Sequence, residues 1–184
     1  IVCFDKKAPT FRKQMYVGYQ AKRPTMSDDL VPQIELVHKA LDCAQVQHFE
    51  IDGYEADDLI GTIAKQAVKE DTQVIILSGD RDLLQLVNSH VLMLAPVTGI
   101  TKMTLFDEVK VKEKYGLNPS QIVDYKALVG DASDNYPGVL GIGPKTASGL
   151  LQKYETFENL YAHLSELPEK IALKLANDAE QAAL

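Results

Sequence analysis

Apolar residues along this chain follow two different periods, and the switches between them lay out its elements. Ile1-Val2-Cys3-Phe4 is an unbroken apolar run, which predicts a short buried strand carrying Asp5 at its carboxyl end. Residues 46–51 read as a second strand, 74–77 as a third and fully apolar one, and 91–94 as a fourth, after which Pro96 to Gly99 turns the chain. Between these runs the spacing becomes helical. Leu30, Ile34, Val37 and Leu41 form a stripe behind Ser27, a candidate cap, with Pro32 one turn in. Ala56, Leu59, Ile60, Ile63, Ala64 and Ala67 define a helix from Glu55 to Glu70, and a short one follows from Asp82 to Val87.

Alternating apolar strands and helices predict an α/β fold, with a mostly parallel sheet flanked by helices. Sites in such sheets form at the carboxyl ends of strands. Asp5 and Asp80 fall on that edge, and Glu55 opens a helix reached from it. Beyond about Gly116 the pattern is all-helical. Asp107 caps a helix that Gly116 stops, Asn118-Pro119 starts another ending near Gly130, and Pro144 starts a third reaching about Tyr154. Thr156 caps a short helix and Pro168 starts a last amphipathic one. Two regions are therefore expected, 1–116 and 117–184, packed together without a linker.

Composition adds limits. At 184 residues, 46% hydrophobic and 24% charged, the chain is of ordinary globular type. No apolar run approaches the ~18 residues of a membrane span. Cys3 and Cys43 lack metal-site spacing and read as reduced core thiols of a cytoplasmic protein. The apolar opening, with no initiator Met, reads as a strand entered part-way through a fold, so residues preceding Ile1 are expected in the native protein.

The candidate chemistry is acidic. Eight carboxylates stand where loops meet strands or helices: Asp5; Glu55, Asp57 and Asp58 in GYEADD; Asp80 and Asp82 in SGDRD; Asp131 and Asp134 in GDASDN. Each cluster alone has an ordinary explanation, as helix-dipole matching, a capped turn or a polar loop. Together they crowd like charge, and each carboxylate that loses water costs several kcal/mol unless a cation joins it. Helical spacing puts Glu55 and Asp58 on one face and turns Asp57 away. His38, His48, His90 and His163 are scattered and none lies in an acidic cluster, which disfavours zinc and favours oxygen-bound Mg²⁺ or Mn²⁺. The net charge of −7 naively argues against a nucleic-acid partner. Setting aside the eight carboxylates turns it to +1, and two or three bound divalent ions make the site cationic, able to clamp a phosphodiester.

Two further segments suit nucleic acid. Gly138-Val139-Leu140-Gly141-Ile142-Gly143-Pro144-Lys145-Thr146-Ala147 is a helix-hairpin-helix type sequence. Gly141 and Gly143 permit close approach of a phosphate, the opening helix amides donate to it, and Lys145 and Thr146 add a charge and a hydroxyl. Lys6 to Arg23 carries six cations and no acid. It interleaves Arg12 and other basic residues with Phe11, Tyr16 and Tyr19, a pattern suited to steering or stacking a single strand.

These segments carry a resemblance. FDKKAPTFRKQMYVGY, GYEADDLIGTIAK, SGDRDLLQLV and YGLNPSQIVDYKALVGDASDNYPGVLGIGPKTA are similar to the 5′-nuclease domain of bacterial DNA polymerase I and its standalone relatives, among them phage 5′-exonucleases and flap endonucleases. The resemblance spans residue 1 to about 165 and implies a PIN-like α/β core with a helix–three-turn–helix region. It implies a metal-dependent nuclease that removes 5′ ends, nicks, flaps or RNA primers, most simply as a monomer. Glu55, Asp57, Asp58, Asp80 and Asp82, with Asp5, resemble the family's inner carboxylate cluster, and Asp131 and Asp134 its second. The hairpin looks like the element that holds downstream duplex, with a K⁺ ion on its carbonyls, and residues 6–23 look like the arch over the single strand. Lys126 and Lys145 are candidate phosphate contacts. Two departures stand out. The family has an earlier strand bearing another metal-binding Asp, which this chain lacks. It also usually has a Lys where this chain has Gln20, so either Lys22 or Arg23 is expected to supply charge to the scissile phosphate, or turnover is expected to be low. Two other readings remain: a catalytically weak DNA-structure-binding fragment, and a ribonuclease of the related compact α/β type.

Overall fold

The computed structural model describes residues 1–99 and 101–183. Strand β1 (Val2–Cys3) pairs in parallel with β2 (His48–Phe49). A separate sheet holds β3 (Val74–Leu77), β4 (Val91–Thr98) and β5 (Lys102–Phe106), with β3 parallel and β5 antiparallel to β4. Strand β5 was not anticipated. Its residues, Lys-Met-Thr-Leu-Phe, alternate only loosely, and the turn before them masked a hairpin. The pairs along β3 and β4 put Ile76, Val91, Met93 and Ala95 into the core, with Phe106 of β5. Ile75, Leu77 and Leu105 are exposed, as the two-residue period of a strand requires for its other face.

Helix α1 (Phe11–Met15) lies within the basic segment, and α2 (Val31–Cys43) follows. Helix α2 differs from expectation. None of its residues is buried, Leu30 rather than Ser27 precedes it, and no side chain caps it. Its His38 packs beside the small β1–β2 unit, with Phe4 edge-on to His38 at 4.4 Å and His38 stacked on His48 at 4.9 Å. Histidines scattered in sequence thus form one pair. Cys43, the last residue of α2, is exposed, which corrects its assignment to the core.

Helix α3 (Ala56–Lys69) buries Leu59 and Ala64, and Ala64 joins the core of the β3–β5 sheet. A 3-10 helix, Arg81–Leu86, buries Leu83 and Leu84. Its cap is Asp80, whose carboxylate accepts from Asp82 N at 3.0 Å, and not Asp82 itself. Helix α4 (Glu108–Tyr115) has the expected caps, since Asp107 accepts from Lys110 N and Gly116 is left-handed at φ 70°. Then come α5 (Ile122–Val129), α6 (Pro144–Tyr154), α7 (Phe157–Ala162), α8 (Glu169–Asn177) and α9 (Ala179–Ala182). One core gathers the sheet, α3 and Val111. A second gathers Leu128, Val139, Ile142, Leu151, Leu160 and Leu175, and Tyr115 packs against both. Among the described residues no helix is long and apolar enough to cross a membrane.

Candidate active site

The acids converge. Asp5 leaves β1 and its Oδ1 accepts from Ala56 N at 2.7 Å, fixing the strand end to the first turn of α3. Glu55 precedes that helix in extended conformation, and its amide donates to Asp58 Oδ2 at 2.9 Å. Asp5, Glu55, Asp57, Asp58, Asp80, Asp82 and Asp134 all line one cleft of about 840 Å³. Asp131 borders a neighbouring pocket with Asp82 and Lys126, and Asp82, Asp131 and Asp134 offer oxygens within 4.8 Å of one another.

One expectation is corrected inside this cluster. Asp57 does not turn away but faces its neighbours. Burial, then the charges of Asp80, Asp5, Glu55 and Asp82, push its carboxyl up to about 7. Glu55 is outside the helical backbone, so counting three residues from it does not define a helical face. Asp58 is instead taken up by Arg12, whose two terminal nitrogens donate to its oxygens at 2.7 and 2.8 Å. Those bonds hold Asp58 below the usual carboxylate range.

Lys126 sits between the two acidic pairs. Its ammonium is 2.7 Å from Asp82 Oδ1 and in closer contact with Asp131. Burial works to raise the Asp131 carboxyl, but donors from Lys126 and Ser133 prevail and hold it at about 2. At Asp82 burial prevails over Lys126, and the carboxyl is raised. The Lys126–Asp82 contact is an ion pair that leaves Asp82 Oδ1 without an aligned hydrogen bond.

The basic segment folds down over these acids as a strap. Tyr19 OH donates to Glu55 Oε2 at 3.0 Å and Thr10 Oγ1 to Glu55 Oε1 at 3.2 Å. Tyr16 OH donates to the Asn135 carbonyl, and Asn135 Nδ2 donates to that of Gly18. Gln20, at φ 54°, makes a double link: its amide N donates to Asp134 O at 2.9 Å and its Nε2 to Asp134 Oδ1 at 3.1 Å. Arg23 lines the main cleft, whereas Lys22 is exposed and outside its lining. Sequence reasoning missed the Gln20 link, Asn135 and Lys65. Lys65 lines the cleft one helical face down from Asp58, and that seven-residue spacing was a usable signal.

The residues fit a hard divalent cation. The acidic donors are carboxylate oxygens, and the cleft lining contains no His or Cys. Asp57 faces four acids and has no ion-pair or hydrogen-bond partner among the described side chains, and Asp82 keeps an unaligned buried oxygen. Oxygen-rich, anionic and under-satisfied sites suit Mg²⁺-like ions rather than soft metals.

Away from the cleft, the hairpin links α5 to α6. Gly130 and Gly138 cross so closely that a Cβ on Gly138 would lie 2.3 Å from Gly130 N. Gly141 has φ 78°, whereas Gly143 is extended, and a Cβ on Gly143 would meet nothing within 4 Å. Pro144 opens α6, with Lys145 exposed and Thr146 half-buried behind it.

Known proteins are similar to this chain in sequence and in fold. A family model described as 5′-3′ exonuclease, N-terminal resolvase-like domain, matches residues 1–116. A second, described as 5′-3′ exonuclease, C-terminal SAM fold, matches residues 117–184. A 5′-3′ exonuclease of Mycoplasma genitalium is 44% identical over 98% of this chain and 62% of its own length. A thermostable DNA polymerase I of Thermus thermophilus is 42% identical over 100% of this chain and 22% of its own. The chain thus spans under two thirds of the first protein and about a fifth of the second. In fold it is similar to a bacteriophage T5 flap endonuclease crystallised with DNA and metal ions, at TM-score 0.82 and 23% identity, over 98% of this chain and 70% of that one.

Proposed function

The chain belongs to the 5′-3′ exonuclease family, and from that premise we propose that it is a metal-dependent, structure-selective 5′-nuclease acting on DNA at 5′ ends, nicks and flaps. The observation that carries this reading is the convergence of seven carboxylates in one cleft beneath a cationic, aromatic strap. Residues 1–116 are the nuclease core and residues 117–184 hold duplex through the hairpin. The ion is Mg²⁺ or Mn²⁺, the chain acts as a monomer, and the work is primer removal and repair in the cytoplasm.

Asp5, Glu55, Asp57, Asp80 and Asp82 would hold one cation position, and Asp131 and Asp134, with Asp82, a second. Bound there, divalent cations supply Lewis-acid activation of water and stabilisation of the departing oxygen. The chain's own residues do the rest. Lys6, Lys7, Lys13, Arg23 and Lys65 line the cleft and offset its acidity toward an incoming phosphate. Arg12 and Tyr19 fix Asp58 and Glu55, while Gln20 fastens the strap to Asp134. No covalent nucleophile is in position. Thr10 donates to Glu55 and Thr62 to the Asp58 carbonyl, and no imidazole lines the cleft to activate either hydroxyl. Water is then the nucleophile at phosphorus; as the family resemblance implies, the 3′ oxygen leaves and takes up a proton, giving a 3′-hydroxyl and a 5′-phosphate.

The test is cleavage of labelled flap, nicked and single-stranded DNA, and of single-stranded RNA, with Mg²⁺ or Mn²⁺ and with EDTA, beside Asp80→Asn. Metal-dependent cleavage at the flap junction, lost in the variant, is expected. Tight flap binding with no metal-dependent cleavage would instead identify a DNA-structure-binding module, and preference for single-stranded RNA a ribonuclease.

A further inference from the structure

The hairpin is fastened from one side by the last two helices. Lys174 Nζ donates to the Gly141 carbonyl at 2.7 Å, Asp178 Oδ2 accepts from Leu140 N at 2.7 Å, and Gln181 Nε2 donates to the Gly138 carbonyl at 2.6 Å. Tyr136, just before the hairpin, donates through its hydroxyl to the Gln181 carbonyl at 2.7 Å. Lys174 lies in the last turn of α8, Asp178 joins α8 to α9, and Gln181 lies in α9. Three successive side chains thus take hold of three polar backbone groups within four hairpin residues.

The rest of the hairpin's hydrogen bonding shows what this leaves open. Val139 N donates to the Leu128 carbonyl and Ile142 N to the Val139 carbonyl. With Leu140 N held by Asp178, the hairpin amides that keep no partner among the described residues are those of Gly138, Gly141 and Gly143. Gly143 directly precedes α6, whose first-turn amides have no intrahelical acceptor, as in any helix. Gly141 serves the clasp twice. Its φ of 78° is left-handed, and a Cβ there would lie 2.5 Å from Lys174 Nζ. Only Val139 and Ile142 bury apolar side chains between Leu140, which is 82% exposed, and the glycines around it. A short glycine-rich turn with two apolar anchors has many backbone states, and the three polar links select one.

We propose that Lys174, Asp178 and Gln181 are positioning residues that set the hairpin in its phosphate-gripping conformation, so that the last two helices control affinity for duplex DNA. This rests on the hairpin being the duplex-holding element proposed above. The clasp pairs an ammonium with a carboxylate, so it shapes the turn while adding little net charge.

The test is fluorescence anisotropy with a nicked duplex and, separately, a single-stranded oligonucleotide, in EDTA to prevent cleavage. Asp178→Ala and Gln181→Ala are each expected to weaken duplex binding by about tenfold, the loss of one hydrogen bond's worth of ordering. Single-strand affinity, set at the strap, stays within twofold. Asp178→Asn keeps an acceptor for Leu140 N and removes a charge, so it binds duplex as well as the parent chain or better. Thermal melting of each variant checks folding, and Gln181→Ala carries the test if Asp178→Ala does not fold. Lys145→Ala separates the two readings. If it weakens duplex binding while both clasp variants do not, the clasp proposal fails and the hairpin reading stands. If Lys145→Ala and Gly143→Ala both leave duplex binding unchanged, the hairpin reading fails and takes the clasp with it. Tighter duplex binding by Asp178→Ala would show the carboxylate competing with phosphate, which also overturns the proposal.

Discussion

Asp57 offers a test of the cleft that needs neither substrate nor turnover. Its carboxyl is pushed up to about 7 by burial and by Asp80, Asp5, Glu55 and Asp82. The folded value lies above the unfolded one, so the folded chain prefers the protonated form. The metal-free fold is therefore unpenalised below about pH 4, loses stability as pH rises from there toward 7, and carries the full penalty above it. An Asp lifted from about 4 to about 7 corresponds to roughly 4 kcal/mol if fully shielded. Asp57 is only partly buried, so solvent screening reduces the figure to about 1–2 kcal/mol. Asp57→Asn removes the charge with little change of shape. In EDTA at pH 8 it should melt roughly 2–8 °C above the parent chain, at about 2–4 °C per kcal/mol for this size. Near pH 3, below the unfolded carboxylate value, the two should melt together. With Mg²⁺ or Mn²⁺ the order should reverse at pH 8, because the parent offers the ion an anionic carboxylate where the variant offers a neutral amide. Differential scanning fluorimetry across pH, with and without metal, reads all three. Equal melting in EDTA at pH 8, or a difference independent of pH, would refute the crowded-acid reading.

Other substitutions probe the strap and the hairpin. Arg12→Lys keeps the charge but loses the two-pronged bond to Asp58, so flap cleavage should fall about tenfold or more without rescue by higher metal. Gln20→Lys places an ammonium beside Asp134 and should raise single-turnover flap cleavage; an unchanged or slower rate would count against charge being limiting there. Gly138→Ala drives a Cβ into the backbone of Gly130 at a left-handed φ and should cost about 2–4 kcal/mol in urea unfolding. Gly143→Ala, with open space and an extended backbone, should melt within a degree or two of the parent yet hold duplex less well.

Much of the fold was legible because its strongest signals are local. The stripe of α3, the caps at Asp107 and Thr156, and the stop at Gly116 each depend on a few neighbouring residues, and each forms as expected. What escaped depends on tertiary partners. Helix α2 has an apolar stripe, yet periodicity cannot say whether anything covers it, and Ile34 and Val37 remain 37% and 43% exposed. Strand β5 needed β4 as its partner before its weak alternation meant anything.

Within the site, residue types predicted convergence, but not which charges the chain neutralises by itself. Arg12 was expected to meet nucleic acid, and Lys126 a phosphate. The structure sets both against carboxylates, Arg12 on Asp58 and Lys126 between Asp82 and Asp131. That division locates where further positive charge is needed. Asp58 and Asp131 each have a cation and are held low, whereas Asp57 faces four acids and has none, so it is pushed up. The oxygens of Asp82, Asp131 and Asp134 are the best gathered for an ion, but an ammonium already touches two of these residues. Geometry therefore favours one cation position and electrostatic need the other. A chain that takes up two divalent ions would fill the Asp57 side first, since no cation sits on Asp57 itself, and would bind the second more weakly, against Lys126. Mn²⁺ titration followed by electron paramagnetic resonance should show two unequal sites in the parent chain, with the weaker one tightened in Lys126→Met; two equal sites, or a weaker one left unmoved by that change, would refute the order.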